Sequence, residues 1–505
     1  MKIIYEDLLN FLSKKPSIDH LSKRLFQLGH EHEICGDIFD LDLTPNRGDC
    51  LSLLGLARDL NIFFKMVEPY EVFDGEIEEL DLKFENLSSD DCSTISFLEI
   101  EIGDEILEYK PYLEKFFTIL DNNKTNFFTD VSNYISYELG QPTHCFDKKK
   151  INNKLVFENK NCSELFKTLL DTEINLQGDN CIFSMDEEII SLAGVMGGKS
   201  TSCSTKTKKA LVECAYFRPQ AMIGKSVKYN ISSDAAHKFE RGVDPTSHEK
   251  VLRRFIKVVE DHAEIKSIKI QTFLDKSYKP KSLSIKKSKI NKVLGTDITE
   301  EEYKDILENF GFIVNDKITI PSFRNDISCQ NDLSEEVARA IGYDNIQSKP
   351  ISLSKESKQN EHKIEKIENF LISNGFFEVI NFPFSSEKTT GSVIIDNPID
   401  SNRENLRTSL KQSLIENLLY NERRQKESIK LFEIADIYSK DNGIQQEKRL
   451  GMIVSGRVGD NYIEFTKKLD YKYLDELLNR DSENQTFEII EISRNGLDTK
   501  KKDKI

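Results

Sequence analysis

The sequence has no long apolar run, no closely spaced pair of cysteines and no excess of basic residues. No apolar run approaches the roughly 20 residues that a membrane-spanning helix needs, so we expect no membrane insertion. The nine cysteines are scattered without a C-x-x-C pair, which favours reduced thiols over a disulfide framework or a zinc site. Residues 1–15 contain acidic side chains and no small-residue cleavage site, so no secretory signal is predicted. These absences together predict a cytoplasmic protein.

The charge balance bears on the partners of the chain. A formal net charge of -16 argues against a protein that coats nucleic acid non-specifically, although a local basic surface remains compatible with it. The 505 residues, of which 38% are hydrophobic and 31% charged, are typical of a soluble globular protein. A chain of this length is expected to form roughly three to five domains.

Hydrophobic periodicity predicts an α+β multidomain fold. Helical spacing dominates the start, short strands with turn signals follow, and a compact unit with a T-x-x-E capping box comes next. The predicted segments are a helical and strand region (1–70), a mixed α/β domain (71–275), a winged-helix-like module (281–347), a polar linker (348–362), an α+β domain (363–490) and a charged tail (491–505).

The stretch 192–245 combines glycine with isolated polar residues in a way that suggests a cavity wall. Gly197 and Gly198 permit close approach of the backbone to another group. Glu213 is a single carboxylate in the apolar run LVECAYF (211–217), which reads as a buried strand. A buried carboxylate is costly without a partner, so Glu213 requires an explanation.

Several local motifs admit a simpler interpretation than a functional one. The string AGVMGGKS has alanine at position 193 where a phosphate loop needs glycine, so we reject it as a nucleotide-binding loop. His144 and His237 could act as general bases, but a lone histidine is more often a structural hydrogen-bonding group. Cys145 has no evident neighbour that would lower its pKa. Asp49 is placed to cap the helix that follows it.

An acidic set near the winged-helix-like module also has two interpretations. Its members could bind magnesium, which prefers carboxylate oxygens, and they are Asp326, Asp332, Glu335 and Glu336. However, Asp332 and Glu335 also fit a D-x-x-E cap at the start of a helix, where carboxylates are favoured. Spacing alone favours the cap.

Eight multi-residue strings, in order along the chain, closely resemble the bacterial-type phenylalanine–tRNA ligase beta subunit family. They are TPNRGDCLSLLGLARDL, ELGQPTHCFD, LAGVMGG, LVECAYFRPQAM, SSDAAHKFERGVDP, INKVLGTDIT, PSFRNDI with DLSEEVARAIGYDNI, and LRTSL with LFEIADIYS. The resemblance implies an (αβ)2 heterotetramer in which a separate alpha subunit carries the ATP and phenylalanine site. It further implies that this chain contacts the phenylalanine tRNA, hydrolyses mischarged Tyr-tRNA, and carries a class II synthetase-like domain over 363–490.

The resemblance assigns roles to individual residues. Glu213 matches the group that accepts the tyrosine hydroxyl, and His144 matches the histidine near the scissile ester. Gly197, Ser233 and Ala235 match residues that shape the ring site, and Asn133 belongs to the matching segment DVSNY (130–134). Asp326, Asp332, Glu335 and Glu336 match magnesium ligands shared with the alpha subunit, which reverses the preference for the cap.

The chain also departs from the family pattern. Asn123 stands where the family has an arginine, with Lys115 and Lys124 nearby. Only Ile34–Ile38 occupy the place of an OB-like tRNA-binding insert, and no C-terminal anticodon-binding domain is recognisable. Two alternatives therefore stand beside an editing beta subunit: a non-catalytic scaffold whose editing has decayed, and a free-standing aminoacyl-tRNA deacylase.

Overall fold

The computed structural model describes residues 1–284, 287–348, 350, 359–386, 388–400, 403–440, 443–459 and 461–478. These residues form two compact units, one within Met1–Pro350 and one within Ile351–Ile505. None of the described helices is long and apolar enough to cross a membrane. The predicted charged tail 491–505, most of the polar linker and the end of the last predicted domain lie outside the described residues. The coarse prediction of a multidomain fold with mixed helices and sheets is confirmed.

The helices are α1 Tyr5–Asn10, α2 Ile18–Gln27, α3 Leu53–Phe64, α4 Pro111–Thr118, α5 Phe127–Leu139, α6 Pro219–Met222, α7 Lys225–Tyr229, α8 Asp234–Arg241, α9 His248–Glu260, α10 Lys287–Leu294, α11 Glu300–Asn309, α12 Gln330–Ile341, α13 Gln359–Ser373, α14 Lys411–Glu422, α15 Tyr462–Phe465 and α16 Tyr471–Leu478. Short 3-10 turns occupy Gly48–Cys50, Lys148–Lys150 and Tyr343–Asn345.

The strands are β1 Lys2–Ile4, β2 Glu31–Cys35, β3 Ile38–Asp42, β4 Glu78–Glu79, β5 Phe84–Asn86, β6 Cys92–Ile106, β7 Thr143–Asp147, β8 Leu155–Lys167, β9 Glu173–Met185, β10 Glu188–Leu192, β11 Met196–Gly197, β12 Lys209–Phe217, β13 Ala263–Leu274, β14 Ser282–Ser284, β15 Ile313–Val314, β16 Lys317–Thr319, β17 Phe377–Glu378, β18 Phe384–Ser385, β19 Asn405–Leu406, β20 Ser428–Lys440 and β21 Ile444–Gly456.

The N-terminal region is a three-stranded sheet, in the order β1-β3-β2, covered by helices. A tight turn at Gly36 and Asp37 joins β2 to β3, and Gly36 has the positive φ that such a hairpin turn favours. The predicted cap by Asp49 is wrong. The Ser52 side chain accepts the Gly55 N–H at 3.0 Å and caps α3, because Asp49 is held by Arg47 instead.

Two five-stranded sheets form the centre of the first unit. One has the order β4-β13-β6-β12-β7, and the other has the order β11-β10-β9-β8-β5. Alternation along β12 sends Ala210, Val212 and Cys214 to one apolar core and Leu211, Ala215 and Phe217 to another. Since side chains alternate with a period of two, Glu213 shares the face of Leu211 and Ala215. The predicted buried strand is therefore present, with its carboxylate on an apolar face.

The segment from Ser282 to Ile341 packs its helices against the three-stranded sheet β14-β16-β15. The predicted capping box is confirmed, because Thr299 accepts the Glu302 N–H while the Glu302 carboxylate accepts the Thr299 N–H. Helix α12 begins at Gln330. Its first turn brings Asp332 back onto the loop that precedes it.

The second unit is built around a long hairpin of β20 and β21, with β17 parallel to β20 and α14 against the sheet. Within residues 376–385, only the short strands β17 and β18 at the two ends are paired. Residues 359–362, predicted as linker, belong to α13. Phe377, Ile380 and Phe382 are exposed, and the middle of this segment pairs with no described strand.

Candidate functional site

A cavity of about 340 Å³ lies where the two five-stranded sheets meet α5 and α8. It has the size of a small-ligand site. All six residues that the sequence predicted for editing line this cavity, and they are Asn133, His144, Gly197, Glu213, Ser233 and Ala235. They come from five separate elements between positions 133 and 235, so the tertiary fold brings them together.

Glu213 is buried in the wall of the cavity without a hydrogen bond or ion pair to any described residue. It pairs with Phe97 of β6 on one side and with His144 of β7 on the other, so its cross-strand neighbours share its face. Removal from solvent raises the pKa of Glu213 to about 8. The carboxyl group is therefore neutral at pH 7 and can both donate and accept a hydrogen bond.

His144 stands directly opposite Glu213 across the β7–β12 pair. Its ring packs edge-on against Phe146 at 4.4 Å between centroids, and its buried Nε2 has no hydrogen-bond partner among the described residues. Loss of solvent lowers the pKa of His144 to about 4. The imidazole is thus neutral near pH 7, with one buried ring nitrogen left for a ligand or a water molecule.

Gly197 allows the opposite sheet to approach this histidine. A Cβ atom at position 197 would lie 2.3 Å from Cε1 and 2.8 Å from Nε2 of His144, which is closer than such atoms can pack. Gly198 is equally constrained, because a Cβ there would lie 2.4 Å from the Ile190 carbonyl oxygen. The two glycines are needed for close packing, and no phosphate-loop helix follows them, in agreement with the rejection of that motif.

Ser233 and Ala235 lie at the start of α8, and Asn133 is an exposed residue of α5 at the rim. The Ser233 hydroxyl accepts the Ala236 N–H at 3.3 Å, so it is the cap of α8 as well as part of the cavity wall. The buried Lys238 of α8 donates to the Ser136 carbonyl oxygen of α5 at 2.8 Å. This contact fixes the two helices that carry Ser233 and Asn133.

Sequence reasoning missed several residues of the wall. Leu169 and Leu170 lie in the turn between β8 and β9, and the Leu169 N–H donates to the Gly197 carbonyl oxygen at 3.0 Å. Asn126 caps α5 and also lines the cavity. Two long alternating strands joined by a short turn could have been recognised as a hairpin, but nothing in the sequence shows where its tip would dock.

Two further predictions about titratable side chains can be compared with the structure. The Cys145 thiol donates to the Phe128 carbonyl oxygen, and burial raises its pKa, in agreement with the rejection of a thiol nucleophile. His237 is not part of the cavity wall and contacts Arg241 on its own helix. Neither residue contributes a reactive group here.

Asn123, which replaces the family arginine, is exposed and does not line the cavity. The nearby lysines are engaged elsewhere: Lys115 pairs with Glu6 at 2.7 Å and Lys124 with Glu114 at 2.6 Å. Among the described residues of the cavity wall, the only lysine or arginine is Lys199, which pairs with Asp171 at 2.9 Å. Neither Lys115 nor Lys124 therefore replaces the arginine, and Asn123 lines a separate cavity with Lys2 and Lys238.

The predicted magnesium ligands do not converge in this chain. Both oxygens of Asp326 and both oxygens of Glu336 accept hydrogen bonds from the single guanidinium of Arg324. Asp332 accepts the backbone N–H groups of Ser328 and Cys329, which is the capping role, and Glu335 is exposed.

Burial raises the pKa of Glu336, but Arg339 and Arg324 outweigh it and bring the pKa down to about 2. Within the part of the chain that the structure describes, the only three potential metal ligands with atoms within 4.8 Å of one another are His30, Cys50 and Asp59. Asp59 is already bound by Arg47 and Arg339. The arrangement therefore does not fit a magnesium site formed by this chain alone, and the cap explains Asp332 better.

The geometry defines what the cavity can do. A neutral carboxyl group and a neutral imidazole face a space of small-ligand size. The remaining wall is mostly apolar or hydroxyl-bearing, and it also contains the amides of Asn126 and Asn133 and the ion-paired Lys199. The carboxyl group and the imidazole can bind a hydroxyl group or orient a water molecule.

Family models match three parts of the chain. They are the B3/4 domain over residues 113–264, the tRNA synthetase B5 domain over residues 283–343 and the phenylalanyl tRNA synthetase beta chain CLM domain over residues 347–492. The cavity lies inside the first of these matches. The fold and the cavity thus belong to a class of multidomain chains associated with aminoacyl-tRNA synthetases.

Relatives with the name phenylalanine–tRNA ligase beta subunit are similar over most of this chain. The protein from Thermotoga maritima is 31% identical over 80% of this chain and 54% of its own length. The protein from Carboxydothermus hydrogenoformans is 30% identical over 87% and 58%, and that from Photorhabdus laumondii is 28% identical over 83% and 56%. The chain belongs to the phenylalanine–tRNA ligase beta subunit family, and it spans just over half the length of these relatives.

A solved N-terminal fragment of the phenylalanyl-tRNA synthetase beta-subunit from Pyrococcus horikoshii matches 67% of this chain and 99% of the fragment. The sequence identity is 15% and the TM-score is 0.37, values too low to transfer structural detail.

Proposed function

We propose that this chain acts as the beta subunit of phenylalanine–tRNA ligase and hydrolyses tyrosine that has been mischarged onto the phenylalanine tRNA. The observation that carries the proposal is the pair of unpartnered polar groups, Glu213 and His144, that face one cavity from adjacent strands. If either group had only a structural role, its buried polar atoms would lack the hydrogen bonds that offset the free-energy cost of burial.

The division of labour between the two groups follows from their protonation. A synthetic site shaped for phenylalanine rejects tyrosine weakly, because a pocket cannot strongly exclude a near-isostere that only adds a hydroxyl. A second site that hydrogen-bonds this hydroxyl selects for it. Glu213 supplies that partner, while Gly197 and Ala235 leave room for the ring. His144 orients water or the terminal ribose beside the ester rather than attacking it.

The remaining regions support a role within a larger assembly. In this proposal the segment 281–347 is a winged-helix-like module, and 363–490 is a class II synthetase-like domain without its own ATP chemistry. The second unit exposes large apolar side chains of 68 to 92% relative accessibility at Phe377, Ile380 and Phe382. An alpha subunit that carries the ATP and phenylalanine site would cover such a surface in an (αβ)2 complex, and the phenylalanine tRNA is the shared substrate.

The first experiment is co-expression with the alpha subunit from the same genome. We expect the two chains to copurify, the complex to attach phenylalanine to its tRNA in the presence of ATP and magnesium, and this chain alone to form no aminoacyl-adenylate. Failure of the chains to copurify under gentle conditions would exclude the assembly.

The second experiment tests the cavity. Purified complex should deacylate Tyr-tRNA, and Glu213→Ala or His144→Ala should reduce the rate on the order of a hundredfold while phenylalanine charging stays normal. Glu188→Gln is the matched control, because Glu188 is an exposed carboxylate at the start of β10 and does not line the cavity. Equal rates for all three variants and the parent would contradict the assignment.

One specific observation favours a second candidate. Asn123 stands where the family has an arginine, and the neighbouring Lys115 and Lys124 pair with carboxylates instead of replacing it, which fits a scaffold subunit whose editing has decayed. Normal charging without detectable Tyr-tRNA hydrolysis by the complex would establish that alternative. Hydrolysis by the isolated chain, without any association with an alpha subunit, would instead establish a free-standing deacylase.

A further inference from the structure

Three exposed lysines lie together beside the cavity, and we name Lys149, Lys150 and Lys206 the lysine rim. Two segments that carry them are tied to each other. The Lys150 Nζ donates to the Ser202 carbonyl oxygen at 2.7 Å, the Asp147 N–H donates to the Thr201 carbonyl oxygen at 2.9 Å, and the Thr207 hydroxyl donates to the Asp147 carboxylate at 2.7 Å. The lysine rim is therefore one surface made from two loops.

This surface continues directly from the cavity wall. Ser202 and Cys203 line the cavity on one loop, and β7 runs from His144 in the cavity to Asp147, immediately before the first lysines. At about 3.3 Å per residue of strand, Lys149 lies no more than roughly 16 Å along the chain from His144. A few nucleotides of single-stranded RNA can span such a distance.

The lysine rim differs from its surroundings in charge. Neighbouring lysines are neutralised by carboxylates, as Lys148 and Lys209 are by Glu99 and as Lys199 is by Asp171. Lys149, Lys150 and Lys206 have no carboxylate partner among the described residues. The Asp147 carboxylate between the two loops accepts the Lys149 N–H and the Thr207 hydroxyl rather than a lysine ammonium group. In a chain with a net charge of -16, the three lysines therefore form a local positive surface.

We propose that the lysine rim binds phosphate groups of the single-stranded 3′ end of the tRNA, and so guides the aminoacyl ester into the cavity. This inference rests on the proposed function and deepens it by placing the path of the substrate. Lysine is suited to the role because its flexible ammonium group neutralises backbone phosphates without reading sequence.

The test uses the full chain and an uncharged acceptor-stem RNA with an intact 3′ end. Lys149→Gln, Lys150→Gln and Lys206→Gln are combined in one variant, and the control combines Lys83→Gln, Lys266→Gln and Lys279→Gln. The control lysines are exposed and lack a carboxylate partner among the described residues. Lys83 precedes β5, the sheet edge opposite β11, and Lys266 lies on β13, which β6 and β12 separate from β7.

We expect the rim variant to bind the RNA about tenfold more weakly, with the slope of log affinity against log salt reduced by about 2, as loss of three single-strand phosphate contacts predicts. The control variant should match the parent within about twofold. An RNA that lacks the single-stranded 3′ end should bind the parent and the rim variant equally.

Kinetics separate this inference from the function on which it rests. In the complex with the alpha subunit, the rim variant should raise KM for Tyr-tRNA about tenfold with kcat unchanged, because the lysines lie outside the reacting site.

Hydrolysis that is normal in both the rim variant and the control variant overturns the lysine rim while the proposed function stands. RNA binding that depends on the rim, without any hydrolysis by the parent, overturns the hydrolytic function while the rim stands. Loss of alpha-subunit copurification in the rim variant, with RNA binding retained, would assign the surface to protein contact and overturn the inference.

Discussion

At the residue scale, Glu213 is a carboxyl group whose burial costs folding free energy and whose position in the cavity wall provides a hydrogen-bonding group. Its carboxyl group sits between Leu211 and Ala215 on an apolar face, opposite His144, and nothing in the described chain compensates for its burial. Both groups remain neutral near pH 7 because burial shifts their pKa values in opposite directions. Glu213 and His144 can therefore form hydrogen bonds with a hydroxyl group while neither of them carries a charge.

The titration of Glu213 makes stability depend on pH in a predictable direction. Its folded pKa of about 8 lies above the ordinary 4.5, so the native protein keeps a proton that the unfolded chain releases. Stability from this group is therefore lost as pH rises from about 4.5 to about 8, by a total on the order of 5 kcal/mol.

The Glu213→Gln variant removes this titration and keeps the size of the side chain. We expect its melting temperature, relative to the parent, to rise between about pH 5 and about pH 8.5. Glu188→Gln should follow the parent throughout. Parallel curves for Glu213→Gln and the parent would show that Glu213 is ionised in the native state.

Gly197 also constrains the cavity, because at this residue the sheet that contains β11 packs closely against His144 of the other sheet. Gly197→Ala places a methyl group 2.3 Å from the ring, so the imidazole or β11 has to move. We expect a loss of 1 to 3 kcal/mol of stability, as is typical of overpacking, together with slower Tyr-tRNA hydrolysis.

Gly103→Ala is the control for that change. A Cβ at Gly103 meets a flexible Glu264 oxygen at 3.3 Å, so the substitution should be tolerated. Thermal unfolding and deacylation rates measure both variants, and an unaffected Gly197→Ala protein would mean that the sheets do not approach as described.

At the scale of elements, the position of α8 decides the shape of the cavity. The helix begins at the Ser233 cap, places Ala235 in the wall, and is held to α5 by the buried Lys238. A single helix terminus thus serves both folding and binding, which explains why one hydroxyl residue stands at this position.

Substitution of Ser233 separates these two roles. Ser233→Ala removes the acceptor for the Ala236 N–H and should destabilise the protein by about 1 kcal/mol, whereas Ser233→Thr keeps the cap. Thermal unfolding reports the cap, and Tyr-tRNA hydrolysis reports the cavity wall. Equal stability of the Ala and Thr variants would show that the hydroxyl is dispensable for α8.

At the scale of the whole first unit, a buried chain of alternating charges joins the N-terminal region to the module around α12. Arg339 bridges Asp59 of α3 and Glu336 of α12, at 2.8 and 2.7 Å. The other members are Arg47, Asp49, Arg324 and Asp326. These ion pairs occupy two of the four carboxylates that the resemblance suggested for magnesium, Asp326 and Glu336.

Breaking this network should be costly. Arg339→Met leaves buried carboxylates short of a partner and should cost about 3 to 5 kcal/mol, with faster hydrogen exchange in α12. Lys304→Met is the control, since Lys304 and Glu308 form an exposed pair worth less than about 1 kcal/mol. Similar exchange rates in the two variants would mean that the network does not hold α12 in place.

Sequence patterns identified much of the secondary structure and, through family resemblance, the residues of the cavity. Alternation placed Glu213 in a buried strand, and the T-x-x-E motif located the start of α11, because both signals are local. The cap of α3 was misassigned, whereas the magnesium ligands that the resemblance shares between this chain and an alpha subunit stay a prediction. Asp49 pairs with Arg47, two residues away, instead of capping α3, and Glu336 binds Arg324, twelve residues away, so spacing alone does not show which partner a carboxylate takes.

The sequence by itself determined which strands and helices form and which unusual side chains they carry, since period, caps and turns act over a few residues. Only the tertiary structure decided what those side chains face. In the folded chain, Glu213 lies opposite His144, Gly197 packs against the imidazole ring from another sheet, and the lysine rim lies next to the cavity wall at Ser202. Desolvation and charge pairing depend on groups far apart in the chain, so the chemistry of the cavity emerges only when the sheets and helices pack.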